Sequence, residues 1–394
     1  MKSVEIFAGG GGLALGVTEA GFEHSYLVEW DKESAKTLYH NNIKFGLHNN
    51  GEWIFNGDIH QVNFSNYAQK IDLVSGGPPC QPFSIGGKHQ AYNDKRDLFS
   101  EATRSLFEIQ PKAFIFENVR GLLRKNFSKY FGYILLQLTY PGLQRGEYQG
   151  WLGHLEELER YHTSGHDKDV SYNVVFRLVN AADYGIPQKR ERVFIVGFRN
   201  DIKGNWSFPE QTHSERALAY TKNVSMEYWE RHSIKPQNGT TNEGRDLFYP
   251  EKMLKPWRTV RDAISDLPNP MYANTFYNHR FQDGARIYPG HTGSALDEPA
   301  KTIKAGGHGV PGGENMIVLD NGSVRYLTVR EAARLQTFPD DYFFPCSWTE
   351  SMRQIGNAVP VKLGKIVADS VGRTLYSSGR SGKAHGKRTL QPSR

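Results

Sequence analysis

Short apolar runs of strand length alternate with helically spaced apolar positions through the first half of the chain. Residues 4–8 predict a strand that runs into Gly9, Gly10, Gly11 and Gly12. Leu13, Ala14, Val17 and Ala20 then recur on one helical face until Gly21 stops it. Further strands are predicted at 25–28, around 53–55 and at 71–75. A helix with Leu98, Ala102, Leu106 and Ile109 on one face leads into an apolar strand over 113–119. Residues 171–180 and 192–197 read as a β-rich pair. Strands that alternate with helices in this way predict an α/β fold with a doubly wound, largely parallel sheet.

The pattern changes over 200–324. Regular periodicity fades there, and Gly, Asn, Tyr and Pro become common. Aromatic residues such as Trp206, Tyr228, Trp229, Trp257, Tyr277 and Phe281 argue against disorder, so a smaller irregular, β-containing module is expected. Thr328 and Glu331 have capping-box spacing and open a helix that Pro339 ends. A last helix carries Leu363, Ile366, Val367, Val371 and Leu375 on its core face. The expected organisation is a first domain built from 1–199 plus 354–378, an inserted domain over 200–353, and a basic, disordered tail over 379–394.

Composition adds little to this, and charge less than its sum suggests. A chain of 394 residues with mean hydropathy -0.59 suits a globular protein with no apolar run near the roughly 18 residues of a membrane span. The N-terminus passes straight into a strand and shows no signal peptide, which points to a cytoplasmic protein. Two cysteines, Cys80 and Cys346, make neither a disulfide framework nor a zinc cluster, and no metal is expected. The net charge is +6, but Arg380, Lys383, Lys387, Arg388 and Arg394 in the tail account for five of those charges. A nucleic-acid surface would therefore be a local stripe rather than a property of the whole chain.

The candidate chemistry lies at successive strand ends. The glycine turn opens a helix, as a nucleotide-binding βαβ unit does, although a tight turn without a ligand explains the glycines equally well. Glu29-Trp30 ends the second strand, where an acid binds a ribose diol and an aromatic ring can pack on adenine. Asp58 ends the third, where it could accept from the adenine amino group. No Gly-x-x-x-x-Gly-Lys-Ser/Thr stretch exists, which leaves a dinucleotide or S-adenosylmethionine (SAM). At the fourth strand end, Pro78-Pro79-Cys80-Gln81-Pro82 holds a thiol on a stiff loop. A thiol nucleophile has no role in hydride transfer but suits methyl transfer to a carbon that must first be activated, so SAM is favoured. Glu117 ends the otherwise apolar fifth strand, where burial raises a carboxyl pKa.

These residues carry a resemblance. Phe7-Ala8-Gly9-Gly10-Gly11-Gly12, Glu29-Trp30, Gly57-Asp58-Ile59, Pro78-Pro79-Cys80-Gln81, Glu117-Asn118-Val119 and Gln188-Lys189-Arg190-Glu191-Arg192 follow the order seen in DNA (cytosine-5)-methyltransferases of the bacterial restriction–modification type. Two further segments, 325–336 and 354–361, extend the similarity to nearly the whole chain. The resemblance implies a Rossmann-like SAM-dependent methyltransferase sheet with a target-recognition insert. It implies SAM contacts from Phe7, Ala8, Gly9, Gly11, Gly12, Leu13, Glu29, Trp30, Asp58, Ile59, Pro79, Leu98, Asn357, Ala358 and Val359. It implies that Cys80 attacks C6 of a flipped-out cytosine, that Glu117 holds N3 and the exocyclic amine, and that Arg192 binds O2. Arg190 is then expected on or near the phosphate backbone, with Gln81, Ser84, Gln188 and Thr302 also on DNA.

The partner implied is duplex DNA, with a cognate restriction endonuclease acting separately, and the protein is expected to be a monomer. A tRNA cytosine-5 methyltransferase shares these motifs but resembles a chain with a shorter insert. A catalytically silent binding module predicts damage at Cys80, Glu117 or Arg192, and all three are intact. A thiol hydrolase would need His89 as its base, without a convincing orienting acid.

Overall fold

The structure, a computed structural model, describes residues 1–46, 53–79, 98–146, 149–165, 170–236, 254–272, 276–289, 291–305 and 315–384, with side chains up to 378. The first half forms β1 (Lys2–Ile6), α1 (Gly12–Glu19), β2 (Glu23–Glu29), α2 (Lys32–His40), β3 (Ile54–Asn56) and β4 (Leu73–Gly76). It continues with α3 (Phe99–Ile109), β5 (Ala113–Val119), α4 (Ser128–Thr139), α5 (Trp151–Ser164), β6 (Tyr172–Asn180) and β7 (Glu191–Arg199). The seven strands make one sheet in the order β3-β2-β1-β4-β5-β7-β6. β1 to β5 are parallel, and β7 runs antiparallel between β5 and β6.

This is the expected doubly wound sheet. The chain moves outward from β1 to β3, then returns to β4 and continues to the other side. The switch point therefore lies between β1 and β4, and ligands of such sheets bind at the carboxyl ends of those strands. β4, the last four residues of β1 and the first six of β5 are buried, as strands covered on both faces must be. One face packs on α3, α4 and α5 through Leu106, Phe131, Ile134 and Leu158. The other packs on α1 and α11 (Val361–Ala384) through Leu13, Val17, Leu363 and Val371.

The second half adds β8 (His213–Ser214), α6 (Glu215–Asn223), α7 (Glu227–His232), β9 (Lys255–Pro256), α8 (Val260–Ile264) and β10 (Ser294–Ala295). β11 (Met316–Val318), β12 (Val324–Tyr326), α9 (Val329–Leu335) and α10 (Trp348–Asn357) complete it before α11. It is more helical than the fading periodicity suggests, because α6, α7 and α8 are too short to show a repeat. Both bonds of the Thr328–Glu331 capping box are present at α9. Two expected boundaries shift. The break after Arg353 falls inside α10, and α11 continues helically to Ala384, into the segment read as tail. The halves share a third core in which Ala14, Leu15 and Leu38 meet Leu327, Phe338 and Ile355.

Two buried titratable groups sit under α1. Glu5 on β1 accepts from the Ser75 hydroxyl at 2.5 Å and from the Ala14 amide. Burial pushes its carboxyl up to about 8. His24 on β2 touches Ser3 and the Ala14 carbonyl, and burial lowers it to about 4. A carboxyl with a raised folded pKa favours folding fully below its ordinary value of 4.5 and loses that contribution as pH rises through 8. His24 acts in the opposite sense, costing stability as pH falls from 6.5 through 4. Glu5→Gln should therefore remove a decline on the order of a few kcal/mol between pH 4.5 and 8. Urea unfolding across that range checks this, and an unchanged pH profile would refute it.

Candidate active site

Three strand ends are tied together around Glu29. The carbonyl of Glu29 accepts from the Gly57 amide and the Asn56 side chain, both at 3.0 Å. Its carboxylate reaches back across the sheet, taking the Gly9 amide at 2.6 Å and the Asp31 amide at 2.7 Å. Glu29 thus holds the glycine turn against β2 whatever else it binds, and each oxygen keeps a further lone pair for a ligand. Burial raises its pKa against the opposing pull of these amides. Trp30 beside it is 69% exposed. Asp58 caps the next turn through the His60 amide and ring, and these contacts lower its pKa.

The turn needs its glycines for two reasons. Gly9 and Gly11 adopt left-handed backbone angles, as does Phe7 at φ 56°. A side chain at Gly12 would lie 2.3 Å from the Val359 carbonyl, whereas at Gly9 it would meet nothing within 4 Å. The turn is therefore packed behind and open in front. Ala358 and Val359 close the back, while Asn357, the last residue of α10, is exposed. Leu13 and Ile59, expected at the cofactor, bury their side chains in the core. Ala8 is buried as well, and its amide continues the sheet to Val28.

The second half of the site centres on Glu117. Nε of Arg192 lies 2.8 Å from Oε1, and both side chains are largely buried. The N–H is not aimed at the oxygen, so among the described residues Oε1 is a buried acceptor without a well-formed hydrogen bond. Desolvation raises the Glu117 pKa against the opposing charges of Arg192 and Arg190. Gly77 lies nearby, where a Cβ would be 3.6 Å from Oε2. Asn118, not singled out from the sequence, donates to the Pro78 carbonyl at 2.9 Å. It pins the loop two residues before Cys80. Leu98 donates its amide to the Pro79 carbonyl at 3.3 Å, where that loop returns. Cys80, Gln81, Ser84 and His89 lie outside the described residues.

Two expected DNA contacts are corrected. Arg190 is fully buried, and its guanidinium donates to the carbonyls of Ile303, Gly356 and Ala358 at 2.8 to 2.9 Å. It cannot reach a phosphate from there; it staples the second half onto the first. Gln188 is equally buried, bonded to Gln336 and to the Ile303 amide. Thr302 is half-buried beside them and donates to the Lys189 carbonyl at 2.7 Å. Gln336, the last residue of the 325–336 segment, joins this network through the Ile355 and Ala358 carbonyls. Cys346 packs among Glu33, Thr37 and Gln354 as expected.

A doubly wound sheet with β7 reversed, a glycine turn at the switch point and a buried acid at the end of β5 define an α/β methyltransferase fold. Solved structures agree on the fold. A DNA modification methyltransferase encoded in an E. coli prophage, described as putative, aligns over 95% of this chain and 99% of its own with TM-score 0.55 and 21% identity. The S. pombe Dnmt2 methyltransferase aligns over 96% and 98% with TM-score 0.54 and 15% identity. The family model for C-5 cytosine-specific DNA methylases matches residues 1–144 and 159–373. The chain belongs to that family, as an enzyme of the bacterial restriction–modification type. It is similar to the type II methyltransferase M.FnuDI of Fusobacterium nucleatum, 32% identical over 99% of both chains. It is also similar to M.Eco47II of Escherichia coli, 32% identical over 93% of this chain and 78% of the relative. The break in the family match, 145–158, takes in the first half of α5. No helix among the described residues is long and apolar enough to cross a membrane.

Proposed function

We propose that the protein methylates C5 of a cytosine turned out of a specific duplex DNA sequence, with SAM as methyl donor and a covalent bond between Cys80 and C6. The observation that carries this reading is the buried Glu117 carboxyl. Among the described residues its Oε1 lacks an aligned donor, its pKa is raised, and Asn118 next to it anchors the loop leading to Cys80. An unsatisfied buried acceptor calls for a ligand that brings a donor. A cytosine edge does so, offering its exocyclic N–H to one oxygen and N3 to the protonated other.

C5 of cytosine is a weak nucleophile. Addition of the Cys80 thiolate to C6 moves the ring's electrons toward C5, while Glu117 neutralises the charge that develops at N3. Arg192 stands beside Glu117 as a donor for O2. When bound, SAM supplies an electrophilic methyl group. The new C5–CH3 bond is followed by loss of the C5 proton to a base or water, and breaking of the C6–S bond restores the ring. The open front of Gly9, the Glu29 carboxylate, exposed Trp30 and Asp58 fit an adenosine, with Asn357 on the far side. A base inside a duplex cannot meet these groups, so it must be flipped out. In a restriction–modification system such methylation protects the host's own sites.

DNA carrying 5-fluorocytosine cannot lose its C5 substituent and should trap the wild-type protein as a covalent complex that survives denaturing electrophoresis. Cys80→Ser should show no trapped band and no methyl transfer. Methylation by that variant would overturn the assignment.

A further inference from the structure

The acids and bases of the first 353 residues nearly balance, so a DNA surface must be local. One run departs from that balance at the site itself. Between the end of β5 and the first turn of α4, Arg120, Arg124, Lys125 and Lys129 occur within ten residues and no acid interrupts them. Arg120 is paired, 2.5 Å from Glu191. Arg124, Lys125 and Lys129 are exposed and, among the described residues, have no ion pair. The first turn of α4 also lacks an acid.

The fold decides where this run can act. Val119 pairs with Arg192 in the register of β5 and β7, so Arg120 follows directly on the Glu117–Arg192 pair. Leu122, fully buried in the core, and the short helical turn over 120–123 then fix the direction in which the chain leaves the sheet. The three unpaired cations therefore stand on the carboxyl-end side of the sheet, on the corner beside the Glu117–Arg192 pair. Three free cations in close sequence, with their counter-charge missing, match a phosphodiester backbone at that edge.

We infer that Arg124, Lys125 and Lys129 form a backbone clamp on the duplex next to the target base, beyond the end of β5. This rests on the reading of the substrate as duplex DNA. The clamp would give non-sequence-specific affinity, holding the helix while the insert reads the bases. It also replaces a role expected of Arg190, whose guanidinium is committed to the carbonyls of the junction.

The test is the salt dependence of equilibrium binding to a duplex bearing the recognised sequence, identified beforehand by sequencing 5-methylcytosine in DNA from an expressing host. Each phosphate contact contributes about 0.9 to the slope of log K against log salt. The triple variant R124Q/K125Q/K129Q should lower that slope by about 2 to 3 and raise the KM for DNA, with thermal unfolding unchanged. A control, K2Q/K70Q, removes two cations from the opposite end of the sheet and should leave the slope as in the wild type. Arg124→Glu, a single change, should weaken binding more than Arg124→Gln. A triple variant with the wild-type slope overturns the clamp while leaving the methyltransferase reading intact. A wild type that neither binds nor methylates duplex DNA overturns both.

Discussion

Replacing Glu117 with Gln is expected to lower kcat for cytosine methylation about 10²- to 10⁴-fold, the usual range for a lost general acid. The substitution keeps the shape of the side chain and an N–H that can still face the ring. What it removes is a proton that can pass to N3 as Cys80 adds to C6. The carboxyl suits that task because burial lifts its pKa above the usual glutamate range even with Arg192 alongside. Its protonated fraction at neutral pH is therefore larger than that of an exposed glutamate, and it declines as pH rises. Wild-type kcat/KM should lose activity on the alkaline side through this group, and the residual activity of the Gln variant should lack that limb. The change also leaves the buried Arg192 cation without its carboxylate, which destabilises the fold. Rates are accordingly compared at saturating DNA, on protein shown by its Tm to be folded. A Gln variant within a few-fold of wild type would show that Glu117 only orients the base.

Glu117 was legible in the sequence because it breaks a pattern. A carboxylate at the end of an apolar strand is conspicuous, and so are Glu29 and the glycines, since sheet topology puts all three strand ends on one side. The parallel sheet itself followed from strands alternating with helices. Other features left no local trace. Whether Arg190 faces solvent or the interior is decided by carbonyls 113 to 168 residues further along the chain. A run such as Lys189-Arg190-Glu191-Arg192 looks uniformly polar until the partners arrive. Only then does it separate into Lys189 in solvent pairing with Glu215, Arg190 under the junction, and Arg192 at the acid. Gln188 was misread for the same reason. Asn118 lay inside a recognised motif, but its value depends on the Pro78 carbonyl 40 residues earlier. Helices α6 to α8 span nine, six and five residues, too few turns for hydrophobic periodicity to stand out from the loops around them.

The burial of Arg190 leads to the other large effect. Arg190→Ala should destabilise the protein by about 3 to 5 kcal/mol, because it strips donors from buried carbonyls and opens a cavity. Ile303 and Gly356 lose the guanidinium outright, whereas Ala358 keeps the Gln336 amide at 3.1 Å. The damage should be directional. Gly356 packs so closely on Lys304 and Ala305 that a Cβ there would lie 2.4 Å from their backbone, and Val359 lies equally close behind Gly12. Releasing 356–359 therefore loosens the wall behind the glycine turn, and SAM affinity should fall together with Tm. Arg190→Lys should recover little, since one ammonium cannot reproduce a planar fork spanning three carbonyls. A phosphate-binding arginine would behave differently: its loss would lower the salt slope of DNA binding and leave both Tm and SAM affinity alone. Calorimetric unfolding and SAM titration of the Ala and Lys variants distinguish the two roles, and an unchanged Tm would return Arg190 to the DNA surface.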